Sequence, residues 1–475
     1  MEAYAHIFFQ IAIPLVVCPT RNSLAQKIRS SRLITLAFQE QQMVQRHVTF
    51  ATVFGLFATL PLFVAAQQSA NSGQSAQVAT NSGYSQAPTL EGGNGVTADI
   101  AEDDAQTRGL IEVRPLKGTL QPWFNFKKRL NDNIGLKLNF SYQGLYQHAN
   151  PTLTDVKDAA AVRGQIQGAW TLLGRDTTNP GILTFRLENR NTVNRDIPPT
   201  SLGLQFGSVT NTGTGFSDFG SAMTELAWRQ TLLDGKFKFV TGKISAISWY
   251  NTYALSSSMR GFQNTGLQSS LSKPAPGRAL GFGIGIEPHP HFVAVAGIHD
   301  ANGKTTDNPF NTIGEGEFYY SAEFRYYPTT PDRWKWDSLK FQIWHQDQRV
   351  NAGTSASTGI TFQASRLFED RWYPFVLGGI SDGNASIFRA DLIAGLGVAI
   401  DTKNRVARDA FGVALGWGNP SNDRLQDQYT AEMFYRAQIT RAFAVTPAVQ
   451  FFVNPAANPK HDGAVVWSLR SRITF

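Results

Sequence analysis

Cysteine is almost missing: the 475 residues include one, Cys18. A fold stapled by disulfides or built on thiolate metal sites is therefore excluded. Charge is sparse, at 17%, and the formal net of +7 is dispersed along the chain. That leaves no basic footprint for nucleic acid. Histidine is limited to eight residues, and no Ser/His pairing stands out as a nucleophile with its base. Beyond residue 66 no apolar run approaches the roughly 18 to 20 residues that a membrane helix needs. What the chain has in quantity is glycine, 42 residues, and aromatics, 12%. That composition favours strands joined by many turns.

The clearest strand is the last stretch, Ala464 to Phe475. With a period of two, Trp467, Leu469, Ile473 and Phe475 share one face, and Ser468, Arg470, Arg472 and Thr474 share the other. An arginine at every second position does not point into a dry core without partners. It points into water while the opposite face meets lipid or protein. A strand of about ten residues with one apolar and one polar side is the spanning unit of a transmembrane β-barrel. Ending on an aromatic residue resembles outer-membrane barrels, whose assembly machinery reads such a strand. The alternative from this stretch alone is the closing strand of a soluble β-sandwich.

The front of the chain is of another kind. Residues 43–66 carry a secretory pattern: Arg46, an apolar run from Val48 to Val64, and the small-residue site Val64-Ala65-Ala66. Because that pattern begins at Met43, residues 1–42 are expected to be an upstream extension outside the natural protein. Residues 67–117, rich in Gln, Ser, Asn, Gly and Ala with an acidic cluster at Glu102, Asp103 and Asp104, are expected to be a flexible periplasmic lead-in. A short amphipathic helix is predicted over 120–131, and the main domain over 118–475.

From Gly135 onward the two-residue alternation recurs. Leu136, Leu138, Phe140 and Tyr142 alternate with Lys137, Asn139, Ser141 and Gln143. Leu183, Phe185 and Leu187 alternate with Thr184, Arg186, Glu188 and Arg190. The same holds around Glu225 and Arg229, Glu323 and Arg325, and Glu432, Phe434 and Arg436. Asp234-Gly235 marks a tight hairpin. Longer connections are predicted at 191–220, 245–277, 300–315 and 347–358. Many strands with one charged and one apolar side, and long loops between some of them, predict an all-β fold. The expected form is a transmembrane antiparallel β-barrel of roughly 16 strands, with 18 as the alternative count. Aromatics near strand ends, among them Tyr327, Trp336, Trp372 and Tyr373, are expected to form interface girdles.

The C-terminal third resembles the carbohydrate-selective porins of the OprB type. The resemblance rests on Ala431-Glu-Met-Phe-Tyr-Arg-Ala-Gln-Ile-Thr440, Val445-Thr-Pro-Ala-Val-Gln450, Asn454-Pro455 and the terminal strand. Asp300-Ala-Asn-Gly303, Glu323, Arg408-Asp409 and Tyr250-Asn-Thr-Tyr-Ala254 fit it further upstream. It implies a 16-stranded outer-membrane barrel that passes sugars through a constriction lined by arginine and glutamate. One departure is Phe375-Val-Leu-Gly-Gly379, where the family often carries a charge.

The pore residues expected to contact solute are Arg186, Glu188, Arg190, Glu225, Arg229, Glu323, Arg325, Glu432, Arg436, Arg470 and Arg472, because guanidinium forks and carboxylates both hydrogen-bond sugar hydroxyls. Phe434 and Tyr319 share their faces and are candidates to stack on a sugar ring. The bland reading of the same charges is a set of ion pairs bracing the wall. No cofactor and no metal is implied; His289-Pro290-His291 reads as a turn. Gly379-Ile-Ser-Asp-Gly383 matches a nucleophile motif but lacks its strand-turn-helix setting. Expected partners are sugars as transported solutes, outer-membrane lipid, the barrel-assembly machinery and a second copy of the chain. The competing functions are a general or anion-leaning diffusion porin and an outer-membrane barrel lipid hydrolase.

Overall fold

A computed structural model describes residue 90 and residues 95–112, 114–329, 333–403 and 406–475. The expected extension 1–42 and secretory pattern 43–66 lie outside them. Helices α1 (Val96–Ala105) and α2 (Arg114–Ile134) precede sixteen strands among the described residues. These are β1 (Leu136–Asn150), β2 (Asp158–Leu173), β3 (Gly181–Thr192), β4 (Gly220–Leu232), β5 (Phe237–Ile244), β6 (Ala279–His289), β7 (Phe292–Asp300) and β8 (Phe318–Tyr326). The ring continues with β9 (Ser338–Gln346), β10 (Ser357–Ser365), β11 (Trp372–Ser381), β12 (Phe388–Lys403), β13 (Val406–Pro420), β14 (Gln428–Gln438), β15 (Phe443–Val453) and β16 (Gly463–Thr474).

Each strand pairs antiparallel with its sequence neighbour, and β16 pairs with β1 to close the ring. Closure leaves no exposed strand edge. The final residue takes part: Phe475 N donates to Phe140 O at 2.9 Å and Phe140 N to Phe475 O at 3.3 Å.

The alternation sorts the side chains as a barrel in lipid requires. On β16 Trp467 and Leu469 point outward, 60% and 52% exposed, while Arg470 between β15 and β1 is 1% exposed. Outward faces elsewhere carry Tyr142, Ile166, Leu187, Phe324, Phe341, Ile343 and Leu415, and inward faces carry Gln143, Gln147, Arg163, Gln165, Gln342 and Thr361. A soluble sandwich buries its apolar face; here the apolar face is the outside. Among the described residues no helix is long and apolar enough to cross a membrane.

The turns divide between two rims. Leu233-Asp234-Gly235, all at positive φ, joins β4 to β5 at the rim that also carries Leu136 and Phe475. The long connections 193–219, 245–278, 301–317 and 347–356 all leave from the opposite rim. Two of them fold into the bore. From 248 to 274 every residue except Ser258 and Thr265 is buried, although the segment is polar. Phe206 of 193–219 packs on Phe452 of β15 at 4.8 Å.

Some expectations change. The predicted boundary at residue 118 and helix 120–131 both fall inside α2, which starts four residues earlier than that boundary and runs to the barrel. Residues 96–105 of the expected lead-in are helical, with Val96, Asp99 and Ile100 buried. Of the expected girdle, Trp372 is exposed, whereas Tyr327 and Tyr373 are 1% exposed and face inward. Trp336 lies edge-on to Tyr373 at 5.2 Å. Tyr327 and Trp336, from the connection between β8 and β9, pack among buried residues rather than on the outer belt.

Candidate pore site

Three constellations of inward charge occupy the bore. The first fixes the connection 245–278. Glu432 of β14 accepts the backbone N–H of Gln263 at 2.7 Å and of Asn264 at 2.8 Å. Arg470 of β16 donates to the carbonyls of Ser258 at 2.5 Å and Gly261 at 3.1 Å. On the far side Glu323 accepts from Asn251 N at 2.6 Å, and Arg325 donates to Trp249 O at 2.7 Å. Lys340 donates to Thr252 O. Asp391 of β12 accepts from Ser270 Oγ, Leu271 N and Ser272 Oγ at 2.7, 2.5 and 2.9 Å. A glycine- and serine-rich segment cannot hold itself together by packing. Wall charges satisfy its buried backbone groups instead, and bonds of this charged kind are worth about 1.5–3 kcal/mol each.

The aromatics of the segment then pack against the wall. Tyr253 stacks on Phe375 at 4.5 Å, and Phe262 meets Phe434 edge-to-face at 5.1 Å. The departure Phe375-Val-Leu-Gly-Gly379 is thus the apolar seat of an in-folded loop. Gly412 leaves room for the Phe434 ring, since a Cβ there would stand 2.4 Å from it.

The second constellation is a ladder on β2–β4. Glu188 accepts from Arg163 at 2.9 Å, from Gln165 at 2.8 Å and from Arg190 Nε at 2.8 Å. Glu225 accepts from Arg229 at 3.2 Å. Arg278, where 245–278 rejoins the wall, stands 3.9 Å from Glu188.

The third is formed with α1. Asp99 takes Arg186 at 3.1 Å and Arg260 at 2.8 Å. Asp103 takes Arg260 at 2.6 Å and both terminal nitrogens of Arg472 at 2.8 and 2.7 Å. Glu102 takes Lys335 at 2.5 Å. Burial alone would raise the Glu102 carboxyl, but Arg260 and Lys335 outweigh it and hold it down at about 2. Asp103, opposed by burial in the same way, is held well below its ordinary value by Arg260 and Arg472. Arg260, although buried, is raised by Asp103, Glu102 and Asp99. Beside α1 a cavity of about 550 Å³ remains, lined by Arg260, Lys335, Trp336, Tyr373, Arg436 and Arg472 among others.

The residues singled out in the sequence therefore separate. Arg186 and Arg472 hold α1. Glu323, Arg325, Glu432 and Arg470 hold the loop. Glu188, Arg190, Glu225 and Arg229 brace one wall. Arg436 and Arg472 line the cavity. Phe434 and Tyr319, each 1% exposed, are enclosed by other aromatics, so neither ring presents a free face to a solute. Asp99, Arg260, Lys335 and Asp391 were not anticipated. The acidic run 102–104 was a usable signal, opposite in sign to the arginine-rich wall. Gly379–Gly383 runs from β11 into the hairpin before β12. His289 and His291 stack at 5.4 Å on the β6–β7 turn, and the described residues contain no group of three potential metal ligands.

A closed sixteen-stranded barrel, apolar outside and charged within, narrowed by a connection folded into its bore, defines a porin. Residues 183–475 match the model of the carbohydrate-selective porin, OprB family, and the chain belongs to that family. A high-pH structure of Pseudomonas putida OprB is similar in fold, with a TM-score of 0.59 at 14% identity over 74% of this chain and 97% of that one. A low-pH structure of the same protein gives a TM-score of 0.45 at 13% identity, covering 75% and 97%. A Rhodopseudomonas blastica porin variant gives 0.44 at 12%, covering 72% and 100%. No curated protein matches the chain.

Proposed function

We propose that the protein is a water-filled channel of the bacterial outer membrane through which glucose-like sugars diffuse passively into the periplasm. The observation that carries this reading is the bore itself: a barrel of porin size whose lumen is lined by arginine, glutamate and glutamine and narrowed by 245–278. Paired charges of both signs hydrogen-bond hydroxyls without a strong net preference for ions. Of the residues expected to contact solute, Arg436 and Arg472 line the open cavity and carry the proposal furthest. The outward apolar belt is the surface for outer-membrane lipid, and β16 with Phe475 is the segment for the barrel-assembly machinery.

Membership of a carbohydrate-selective porin family favours a channel over a lipid hydrolase. The surplus of guanidinium around the cavity favours an anion-leaning pore as the second reading. Liposome swelling separates the two. Vesicles holding the purified protein should swell faster in isotonic glucose than in isotonic disaccharide or trisaccharide. Equal rates for all neutral sugars, with faster entry of small anions, would favour the second reading.

A further inference from the structure

Helix α1 lies in the bore against β1, β2 and β3. Asp103 is forked by Arg472 on β16, and Glu102 is bound by Lys335 in the connection between β8 and β9. In the ring order β16 and β8 stand on opposite sides of the barrel. The adjacent Glu102 and Asp103 thereby tie the C-terminal turn of the helix to groups from both sides, and Arg260 of the in-folded loop ties it from a third direction. Its apolar contact is small, with Val96 and Ile100 meeting Ala169 and Ile182, and Asn139 of β1 adds a hydrogen bond to Asp103 at 2.5 Å beside the ion pairs. The chain on either side is anchored at the terminal rim. Leu90 O accepts from Arg229 at 2.9 Å, and Leu110 N and Ile111 N donate to the carbonyls of Gln438 and Ile439 at 2.8 and 2.9 Å.

The arginines thus form a carboxylate site, and the chain fills it with its own carboxylates. Arg472 holds Asp103 through both terminal nitrogens, the planar fork geometry that suits a carboxylate. The cavity beside α1 is of the size that takes a small molecule. It opens on the exposed side of the helix, along Thr97, Ala98 and Ala101. Arg436 lines it, and its Nε is buried without a hydrogen-bond partner among the described residues. Trp336 and Tyr373 supply an aromatic wall.

We propose that α1 is a tethered stopper, and that the solute which displaces it is a sugar bearing a carboxylate. Such a solute enters beside Arg436 and exchanges with Asp103 on Arg472 and Arg260. The exchange puts the solute carboxylate in place of Asp103 on Arg472 and Arg260, while Arg186 keeps Gln167 and Lys335 is released to water, and the tethers at residues 90 and 110–111 let the helix return. This inference rests on the porin reading above and specifies which sugars it favours.

The test is single-channel recording on the full chain in planar bilayers, with glucuronate and glucose compared at matched ionic strength. In the wild type, glucuronate should raise the open probability at least threefold and glucose should not. D99N/E102Q/D103N should be open without ligand, with conductance at least threefold above wild type, and glucuronate should block it at a concentration at least tenfold below glucose. R436Q leaves the ion pairs of α1 intact; it should lose the glucuronate response at least tenfold. R436Q therefore decides the matter if the triple variant fails to fold. A wild type whose opening ignores glucuronate, a folded triple variant that conducts as wild type, or an R436Q channel with the full response overturns the proposal while leaving a pore. Absence of any current from folded wild type and folded triple variant overturns the porin reading as well.

Discussion

At the scale of single residues, the same inward arginine or glutamate does different work according to what lies across from it. Glu432 and Arg436 are four residues apart on one strand, yet Glu432 ends on two backbone N–H groups of the loop and Arg436 lines the cavity. Replacing Glu432 by Ala should leave those two N–H groups without an acceptor in the interior. A buried donor left unsatisfied typically costs about 1–3 kcal/mol. We expect a lowered unfolding midpoint in detergent and new tryptic cleavage at Arg260, which mass mapping of the fragments would detect. Replacing Arg436 by Ala should leave the midpoint within about 0.5 kcal/mol of wild type and weaken sugar block of the current. Two equal midpoints for E432A and R436A would remove the distinction. The sequence displayed both residues on the charged face of β14 but not their partners. Those partners are main-chain groups of an aperiodic segment, and no side-chain pattern announces them.

At the scale of elements, strands were legible and their fillings were not. A period of two is local, so outward Trp467 and inward Arg470 separate without knowledge of any other strand. The long connections were legible too, because Gly, Ser, Asn and Thr break the alternation at 245–277 and its counterparts. That 248–274 turns inward was not legible, since its polar composition reads as solvent-exposed; only the wall charges reveal why it is buried. The acidic α1 was misread for the same reason. Its carboxylates Glu102 and Asp103 titrate below their ordinary values when docked. The docking they support is therefore complete above about pH 4.5 and is lost as pH falls toward about 2. Amide exchange of 96–105 should stay slow at pH 6, quicken as pH is lowered through that window after correction for intrinsic rates, and quicken also at molar salt, which screens such pairs. Exchange independent of both would show that α1 is held by something other than its ion pairs. Gly412→Ala tests the seat of the loop: the added Cβ meets the Phe434 ring, and overpacking of this kind costs about 1–3 kcal/mol, readable as a lower melting temperature in detergent.

At the scale of the whole molecule, the chain is inverted relative to a soluble domain. Leu415, 65% exposed near the middle of β13, has no protein neighbour to cover it and belongs to the outward belt. Leu415→Arg should cost about 2–4 kcal/mol when the barrel folds into lipid, measured by urea titration in vesicles. An unchanged stability would mean that this belt does not face hydrocarbon. The barrel, its closure through β16 and its approximate strand number were all legible, because each follows from repetition. The division of the lumen among loop, wall and helix was not, because it depends on contacts between residues far apart in the chain, such as Arg472 and Asp103.

The central claim is that this barrel encloses a sugar-accessible aqueous path. Planar-bilayer conductance of the purified protein under a glucose titration tests it most directly. Stepwise conductance that falls as glucose is added is the predicted result. Folded wild type and folded D99N/E102Q/D103N that both give no conductance steps, or steps unchanged at saturating glucose, would contradict the claim.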